Sequence, residues 1–218
     1  MKNELSTQES RRRILDAAAA EFAQNGFAGA RVDNIARRAS VNKALIYYYF
    51  KSKDELLEIL CDEAIAEMVG FMKAETLRSL DLRSPETMKL YLSGYLDELE
   101  KKENVIRVIL MESLKNSTTN NFIFGRIREV LSKFFETGEE AGYGMGGRGI
   151  REVMEFFTGI MPILNYVVYH NLWMDRFGLS EPELRSQFLD SFLGTHVAFS
   201  VQVYKNRETD WVIKERKS

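Results

Sequence analysis

The sequence has 218 residues, of which 45% are hydrophobic and 28% are charged, so it can bury a core and is too apolar for general disorder. No apolar run reaches the roughly 20 residues that span a bilayer, and no signal-peptide core follows the N-terminus. A single cysteine, Cys61, excludes an internal disulfide and a cysteine metal cluster. These features predict a cytoplasmic protein without a membrane segment.

Charge is divided unevenly along the chain. Residues 1–53 contain 10 Lys/Arg and 5 Asp/Glu, a net charge of +5, whereas residues 54–218 contain 20 and 27, a net charge of −7. A basic first part joined to an acidic remainder suggests that only the first part meets a polyanion. We therefore expect two domains, a head of residues 1–53 and a body of residues 54–218.

Apolar residues recur at intervals of three and four along most of the chain, which predicts an all-α protein. In the head, Ser6 offers an N-cap for a first helix that Gly26 would end. A second helix is predicted over residues 32–39. A third begins near Asn42, which is a favourable N-cap.

The body is predicted to contain further helices. Ser52 opens a fourth helix that runs towards Leu80, Pro85 stands at the start of another, and Asn104 can cap a segment that follows. The remaining predicted helices cover residues 120–137, about 150–175 and about 181–205, with a glycine-rich loop at residues 138–149.

The second and third helices of the head are joined by only Ala39-Ser40-Val41, which predicts a sharp turn between them. Two short helices joined in this way form a helix-turn-helix, whose second helix enters the major groove of DNA. That helix would carry Asn42, Lys43, Ala44, Tyr47 and Tyr48 outward. The set suits phosphates and base edges, because it combines a cation, an amide and two phenols.

The motifs of residues 11–57 resemble the DNA-binding domain of the TetR family of bacterial transcriptional regulators. The resemblance is carried by residues 13–18 (Arg-Ile-Leu-Asp-Ala-Ala), Phe22, Gly26-Phe27, residues 32–36 (Val-Asp-Asn-Ile-Ala), residues 39–43 (Ala-Ser-Val-Asn-Lys), residues 46–50 (Ile-Tyr-Tyr-Tyr-Phe), Lys51-Ser52-Lys53 and Leu56. It covers about a quarter of the chain. It implies an N-terminal helix-turn-helix domain and a C-terminal helical domain for effector binding and dimerisation.

The resemblance also implies roles by position. Tyr47 and Lys53 would contact phosphates, and the base-facing positions fall on Asn42, Lys43, Ala44 and Tyr48. Phe22, Ile35 and Phe50 correspond to core positions. Where many members have Ser or Thr before the valine of the second helix, this chain has Arg31, whose guanidinium could reach a phosphate instead.

The resemblance implies a homodimer formed by the last two long helices, about 150–175 and 181–205. Their apolar residues fall on more than one face, which fits an interface as well as a central position in the body. The middle helices would enclose a pocket for an unknown and largely apolar small-molecule effector. Its candidate lining residues, each of which could equally be ordinary core, are Met68, Phe71, Met72, Tyr91, Tyr95, Met111, Phe122, Met154, Phe157, Met161, Asn165 and Tyr166.

No motif indicates catalysis, a cofactor or a metal. The two histidines, His170 and His196, lie on apolar helices with no acid or nucleophile in a recognisable motif, and Cys61 is expected to be a buried hydrophobe. We therefore predict a ligand-responsive repressor that binds a pseudo-palindromic operator and is not an enzyme. The alternatives are a helical ligand-binding or interaction protein without sequence-specific DNA binding, and an enzyme that uses one of the histidines.

Overall fold

The computed structural model of the protein describes residues 2–71, 73–81, 84–115, 118–141 and 148–198. The chain packs into two compact units. Unit 1 consists of Met1–Phe71 and Tyr95–Lys133, and unit 2 consists of Met72–Gly94 and Phe134–Ser218. The predicted functional division after residue 53 stays a prediction. Within the described residues no helix combines the length and the apolar character needed to cross a membrane.

The elements of the described residues are all helical, which confirms the predicted all-α class. They are α1 (Lys2–Gly29), α2 (Val32–Ala39), α3 (Lys43–Tyr49), α4 (Lys53–Phe71), α5 (Ala74–Ser79), α6 (Pro85–Glu100), α7 (Glu103–Ser113), α8 (Thr118–Glu140), α9 (Arg148–Met154), α10 (Met161–Phe177) and α11 (Glu181–Phe192). Two π-helical turns extend α9 over Glu155–Ile160 and α11 over Leu193–Val197.

The core of unit 1 is built by α1, α2, α3, α4 and α7. Phe22, Ile35 and Phe50 are all almost completely buried in it, as the sequence predicted. Cys61 is buried in the same core, also as predicted. The apolar side chains of α1 and α4 therefore pack with those of the short helices α2 and α3 in one core.

The turn between α2 and α3 has the predicted sharpness. Ser40 adopts a left-handed conformation with φ 54° and ψ 46°, and the Val41 N–H donates to the Ala36 carbonyl at 3.0 Å. Asn42 then caps α3, because its Oδ1 accepts the Leu45 N–H at 2.7 Å. The next cap is also confirmed, since the Ser52 Oγ accepts the Glu55 N–H at 3.1 Å.

Helix α1 differs from the prediction at both ends. It begins at Lys2 rather than after Ser6, since no glycine or proline in residues 2–5 opposes helical continuation. At Gly26 the backbone leaves the helical region with φ 68° and ψ 161°, but one more turn follows to Gly29. Gly26 therefore breaks the helix, as predicted, without ending the element.

Three boundaries in the body also differ from the predictions. Helix α4 ends at Phe71 and not near Leu80, because Lys73 is extended, with φ −94° and ψ 135°, and caps the separate helix α5. Asn104 is not an N-cap, since α7 begins at Glu103, whose negative charge suits the first turn of a helix. The predicted loop at 138–149 is too long, because α8 continues to Glu140 and α9 begins at Arg148.

Unit 2 is organised around α10 and α11, which pack against each other. A column of aromatic rings stands between them: the Tyr166 and Phe188 centroids are 4.5 Å apart, and Phe188 and Phe192 are 5.8 Å apart. The first half of α6 is joined to α11 by an ion pair of 2.5 Å between Lys89 and Asp190. Both helices predicted for residues 150–205 are thus present up to Ala198, and later residues lie outside the described part.

Candidate nucleic-acid interface

The outward face of α3 carries five of the seven residues predicted to contact DNA. Asn42, Lys43, Ala44, Tyr47 and Tyr48 are all exposed, and the two tyrosines have 50% and 78% of their surface accessible. Their backing is rigid, because Ile46 on the opposite face is buried in the core of unit 1. A short helix with one anchored face and one polar, aromatic face can enter a major groove.

Lys43 is held near the surface of α2. Its Nζ lies 2.9 Å from an Asp33 carboxylate oxygen, and this hydrogen bond is the main reason why the pKa of Lys43 is raised above its ordinary value. The lysine therefore stays protonated at neutral pH. Because both groups are exposed, the pair contributes little to stability, and a phosphate or guanine could take the place of Asp33.

Lys53 is engaged elsewhere in unit 1. Its Nζ donates to the carbonyls of Phe27 at 2.7 Å, Ala30 at 3.2 Å and Ala28 at 3.4 Å. It also lies 4.6 Å from the centroid of the Phe27 ring. These carbonyls are at the end of α1, where the backbone lacks helical partners and the helix dipole favours a cation. The geometry thus makes Lys53 a cap of α1, whereas the resemblance implies a phosphate contact.

A carboxylate from α1 binds the start of α2, where Arg31 provides no side-chain cap. The Arg31 side chain is exposed and does not cap α2. Glu21, which is 1% exposed, accepts hydrogen bonds from the Asn34 Nδ2 at 2.8 Å and the Arg38 Nε at 3.1 Å, and from the Arg31 backbone N–H. An acidic group at the start of α2 also suits its dipole.

Burial by itself raises the pKa of the Glu21 carboxyl. The hydrogen bonds from Asn34, from the Arg31 N–H and from Arg38 outweigh this effect, so that the pKa is lowered from its ordinary value of 4.5. Glu21 is therefore ionised at neutral pH and binds the start of α2 to α1.

Replacing Glu21 by glutamine is expected to make the free energy of unfolding depend less on pH in the acidic range. Because the folded-state pKa is lowered, ionised Glu21 stabilises the fold above its ordinary pKa, and this contribution is lost as the pH falls through the folded-state pKa. The free energy of unfolding of the wild-type protein should exceed that of the Glu21→Gln variant at about pH 6. The difference should shrink towards about pH 3. Urea unfolding across this range measures it.

Asp16→Asn provides the control for that experiment, because Asp16 lies on the same helix with an exposed side chain. A difference between wild type and Glu21→Gln that stays constant with pH would contradict the assigned role of Glu21.

The residues of this candidate interface lie within a segment that matches a known family. Two curated relatives align with the chain, each at 29% identity. HTH-type transcriptional repressor SCO4008 of Streptomyces coelicolor matches 51% of this chain and 53% of its own length, and HTH-type transcriptional repressor NicS of Pseudomonas putida matches 61% and 65%. Residues 14–60 match the profile described as bacterial regulatory proteins, tetR family. Over these residues the chain is similar to the TetR family. The match includes α2, α3 and the start of α4.

The fold of the chain also resembles that of solved TetR-family structures. A transcriptional regulator from Aquifex aeolicus VF5 superposes with a TM-score of 0.58 at 19% identity, over 84% of this chain and 96% of that one. The matched segments of the two curated repressors span just over half to about two thirds of their length. The matched family and these relatives are regulators, which agrees with the prediction that the chain is not an enzyme.

The predicted effector-pocket residues are distributed over both units. Phe71 and Tyr95 meet in unit 1, with ring centroids 5.1 Å apart. Burial raises the pKa of Tyr91 in unit 2 to about 12, so its phenol stays neutral. The buried or half-buried members are Met68, Phe71, Tyr91, Tyr95, Met154, Met161 and Tyr166, whereas Met111, Phe157 and Asn165 are exposed, and the side chains of Met72 and Phe122 lie outside the described residues.

The contacts of the two histidines and the burial of the cysteine are typical of structural roles. The His170 ring pairs with the Val167 carbonyl at 2.9 Å through Nδ1. His196 has an acid that the sequence pattern missed, since its Nε2 lies 3.2 Å from Glu155 Oε2 and its Nδ1 lies 2.9 Å from Thr158 Oγ1. Burial raises the pKa of the Cys61 thiol to about 12, which disfavours the thiolate needed for a redox sensor.

Sequence reasoning missed two buried acids of unit 1, Glu21 on α1 and Glu112 on α7. Glu112 Oε1 accepts the Phe27 N–H at 3.0 Å. Both acids stand where the apolar repeat of their helix calls for a hydrophobic residue: Glu21 lies three after Ala18, and Glu112 lies three after Ile109. An ionisable residue within an apolar stripe is a signal that it has a buried partner.

Proposed function

We propose that this protein is a transcriptional repressor that acts in the cytoplasm, binds a pseudo-palindromic DNA operator as a homodimer and is released by a small-molecule effector. The observation that carries the proposal is the outward face of α3, where Lys43, Tyr47 and Tyr48 are exposed over the buried Ile46. The names of the two curated repressors support the repressor assignment. In this proposal the head, residues 1–53, binds DNA, and the body, residues 54–218, binds the effector and the second copy.

Direct contacts with DNA are assigned from the chemistry of that face. Lys43 would bind a phosphate or the acceptor edge of guanine, and the phenols of Tyr47 and Tyr48 would bind phosphates or contact thymine methyl groups. Asn42 would use its amide nitrogen, because its oxygen already caps α3. Arg31 is exposed and adds a further cation close to the start of α2, and the exposed Ala44 allows close approach to the groove.

A second copy of the chain is proposed as the partner of α10. This helix buries Leu164, Val167 and Val168 on one face of unit 2. A second face exposes large apolar side chains to solvent, at Tyr169 and at the positions three, four and eight residues after it. The side chains of this exposed face are Tyr169, Leu172, Trp173 and Phe177. Such a face would be covered in a homodimer formed by α10 and α11.

The effector would act by shifting the population of conformations. Two heads bind a palindrome only when their α3 helices match half-sites one helical turn, about 34–36 Å, or a multiple apart. An apolar effector in the body would favour a conformation in which α4 moves and this spacing is lost. Support for the apolar class is the aromatic pair of Phe71 and Tyr95 near the end of α4, with Met68 buried in the preceding turn.

The first experiment selects duplexes from a random pool with the purified protein at near-physiological salt, followed by sequencing. We expect a palindrome to be enriched by the wild-type protein and lost in the double variant Lys43→Ala, Tyr47→Ala. The control is Lys51→Ala, because Lys51 is an exposed cation that lies just outside α3. No enrichment by a folded wild-type protein, or equal enrichment by the double variant, would refute sequence-specific binding.

Sedimentation of the double variant Trp173→Glu, Phe177→Glu tests the dimer. The proposal expects a folded monomer that no longer selects a palindrome, whereas an unchanged dimer would place the interface elsewhere.

A further inference from the structure

The break in α1 at Gly26 is closed by a residue from the body. Leaving the helical region at Gly26 removes the Phe27 N–H from the helical ladder, and this N–H donates to Glu112 Oε1 at 3.0 Å. The same oxygen lies 2.5 Å from the Lys115 Nζ, and Glu112 is only 3% exposed. A buried carboxylate from α7, 85 residues further along the chain, is thus an anchor of the last turn of α1.

Glu112 belongs to a well-anchored helix. Val105 and Val108 of α7 are buried in the same core that contains α1 and α4, and Ile109 packs against that core. The carboxylate stands in the last turn of α7, which ends at Ser113. Its position is therefore determined by the packing of α7.

Phe27 is linked both to the chain segment before α2 and to the chain segment after α3. At the beginning, residues 27–31 lead directly into α2. At the end, Lys53 starts α4 four residues after α3 ends at Tyr49. Its Nζ is held by the Phe27 carbonyl and lies over the Phe27 ring. A displacement of Phe27 would thus act on the two chain segments that support the DNA-binding helices.

We infer that Glu112 is a positioning residue for DNA binding: through the Phe27 N–H it fixes α2 and α3 relative to α7, so that a movement of α7 changes the placement of α3. This inference rests on the proposed function and specifies where its regulation acts. It assigns no DNA contact to Glu112. It predicts that the contact matters more for the placement of α3 than for the stability of the core.

Substitutions of Glu112 by glutamine and by alanine separate a role in the placement of α3 from a role in the stability of the core. Glu112→Gln keeps an oxygen that can accept the Phe27 N–H, whereas Glu112→Ala leaves that partly buried donor without its acceptor. The matched control is Glu103→Ala, since Glu103 is on the same helix and pairs with Arg107 rather than with α1. All variants are made in the full chain, and their thermal unfolding is recorded to establish that they are folded.

Hydrogen exchange of the free protein gives the first readout. In Glu112→Ala we expect amide exchange at residues 27–31 to accelerate about tenfold, the usual effect of losing one hydrogen bond at a partly buried site. Residues 14–22 should exchange as in wild type, and Glu112→Gln and Glu103→Ala should stay within about threefold of it. Acceleration spread evenly over residues 14–60 would indicate general destabilisation and would overturn the inference.

The second readout uses the palindrome from the duplex selection, with its original spacer and with one base pair added between the half-sites. Wild type should bind the lengthened duplex at least tenfold more weakly, and Glu112→Ala should reduce this ratio to about threefold or less, because its heads are less firmly placed. Glu112→Gln should restore the wild-type ratio. An unchanged ratio in Glu112→Ala would overturn the positioning role. If wild type selects no palindrome, the proposed function fails, and the exchange pattern alone then decides whether Glu112 anchors residues 27–31.

Discussion

Replacing Lys53 by methionine is expected to destabilise the protein by about 1.5–3 kcal/mol, the usual worth of hydrogen bonds to a charged group. The ammonium group satisfies carbonyls of Phe27, Ala28 and Ala30 at the end of α1, and methionine keeps an unbranched side chain of similar length without the donors. Denaturant unfolding followed by circular dichroism measures the change in free energy. The same variant tests whether the geometry or the family resemblance describes the main role of Lys53.

Lys51→Met is the matched control, since Lys51 is an exposed lysine two residues earlier. It should leave the free energy of unfolding unchanged within about 0.5 kcal/mol, as is usual for surface substitutions. The salt dependence of binding to the selected duplex adds a second criterion. Loss of one phosphate contact lowers the slope of log K against log salt by about 0.9. We expect no such change for Lys53→Met. A stable variant with a reduced slope would instead make Lys53 primarily a phosphate contact.

Substitution of alanine for Gly26 is expected to cost about 1–3 kcal/mol of stability, because the backbone there has φ 68° and ψ 161°, a region that only glycine enters readily. Space for the new methyl group is not the difficulty. A Cβ at this position would lie 3.5 Å from the Lys115 Nζ and 3.7 Å from Glu112 Oε1, which are ordinary contact distances. The cost thus measures backbone strain at the break in α1. It is determined from the denaturant midpoint of the full chain.

Gly29→Ala is the control for this substitution. Gly29 lies in the last turn of α1 without a positive φ, and an added Cβ would meet only the Asn25 Cβ at 3.8 Å. Alanine should be neutral there or stabilise by up to about 1 kcal/mol, since it restricts the unfolded chain and favours helix. Equal destabilisation by both alanines would show that the last turn of α1 resists any side chain, and that the conformation of Gly26 is not the cause.

Local signals in the sequence determined much of unit 1. The family resemblance implied that Phe22, Ile35 and Phe50 are core residues, and the apolar spacing in the head agrees with their burial, because one face of each helix must leave water. Asn42 and Ser52 predicted the starts of α3 and α4, because their side-chain oxygens accept N–H groups only three residues away. The exposed face of α3 followed from the same spacing, since Ile46 occupies the opposite side.

The ends of the helices in the body were predicted less accurately from local signals in the sequence. Asn104 has the chemistry of an N-cap, yet α7 starts one residue earlier, and α4 stops at Phe71, one residue after Gly70, rather than near Leu80. Competing cap residues stand close together in the sequence and differ by less than the packing energy of a helix. Tertiary packing therefore selects among them.

The sequence alone was enough to predict the all-α class, most of the helices, the apolar faces in the head and the outward face of α3, because these depend on residues within one or two turns of each other. The partners of the polar groups, in contrast, depend on the tertiary fold. Lys53 binds carbonyls 23 to 26 residues earlier, and Glu112 binds an amide 85 residues away. A buried charge must find its hydrogen-bond partner wherever the fold brings one, and no local pattern records that position.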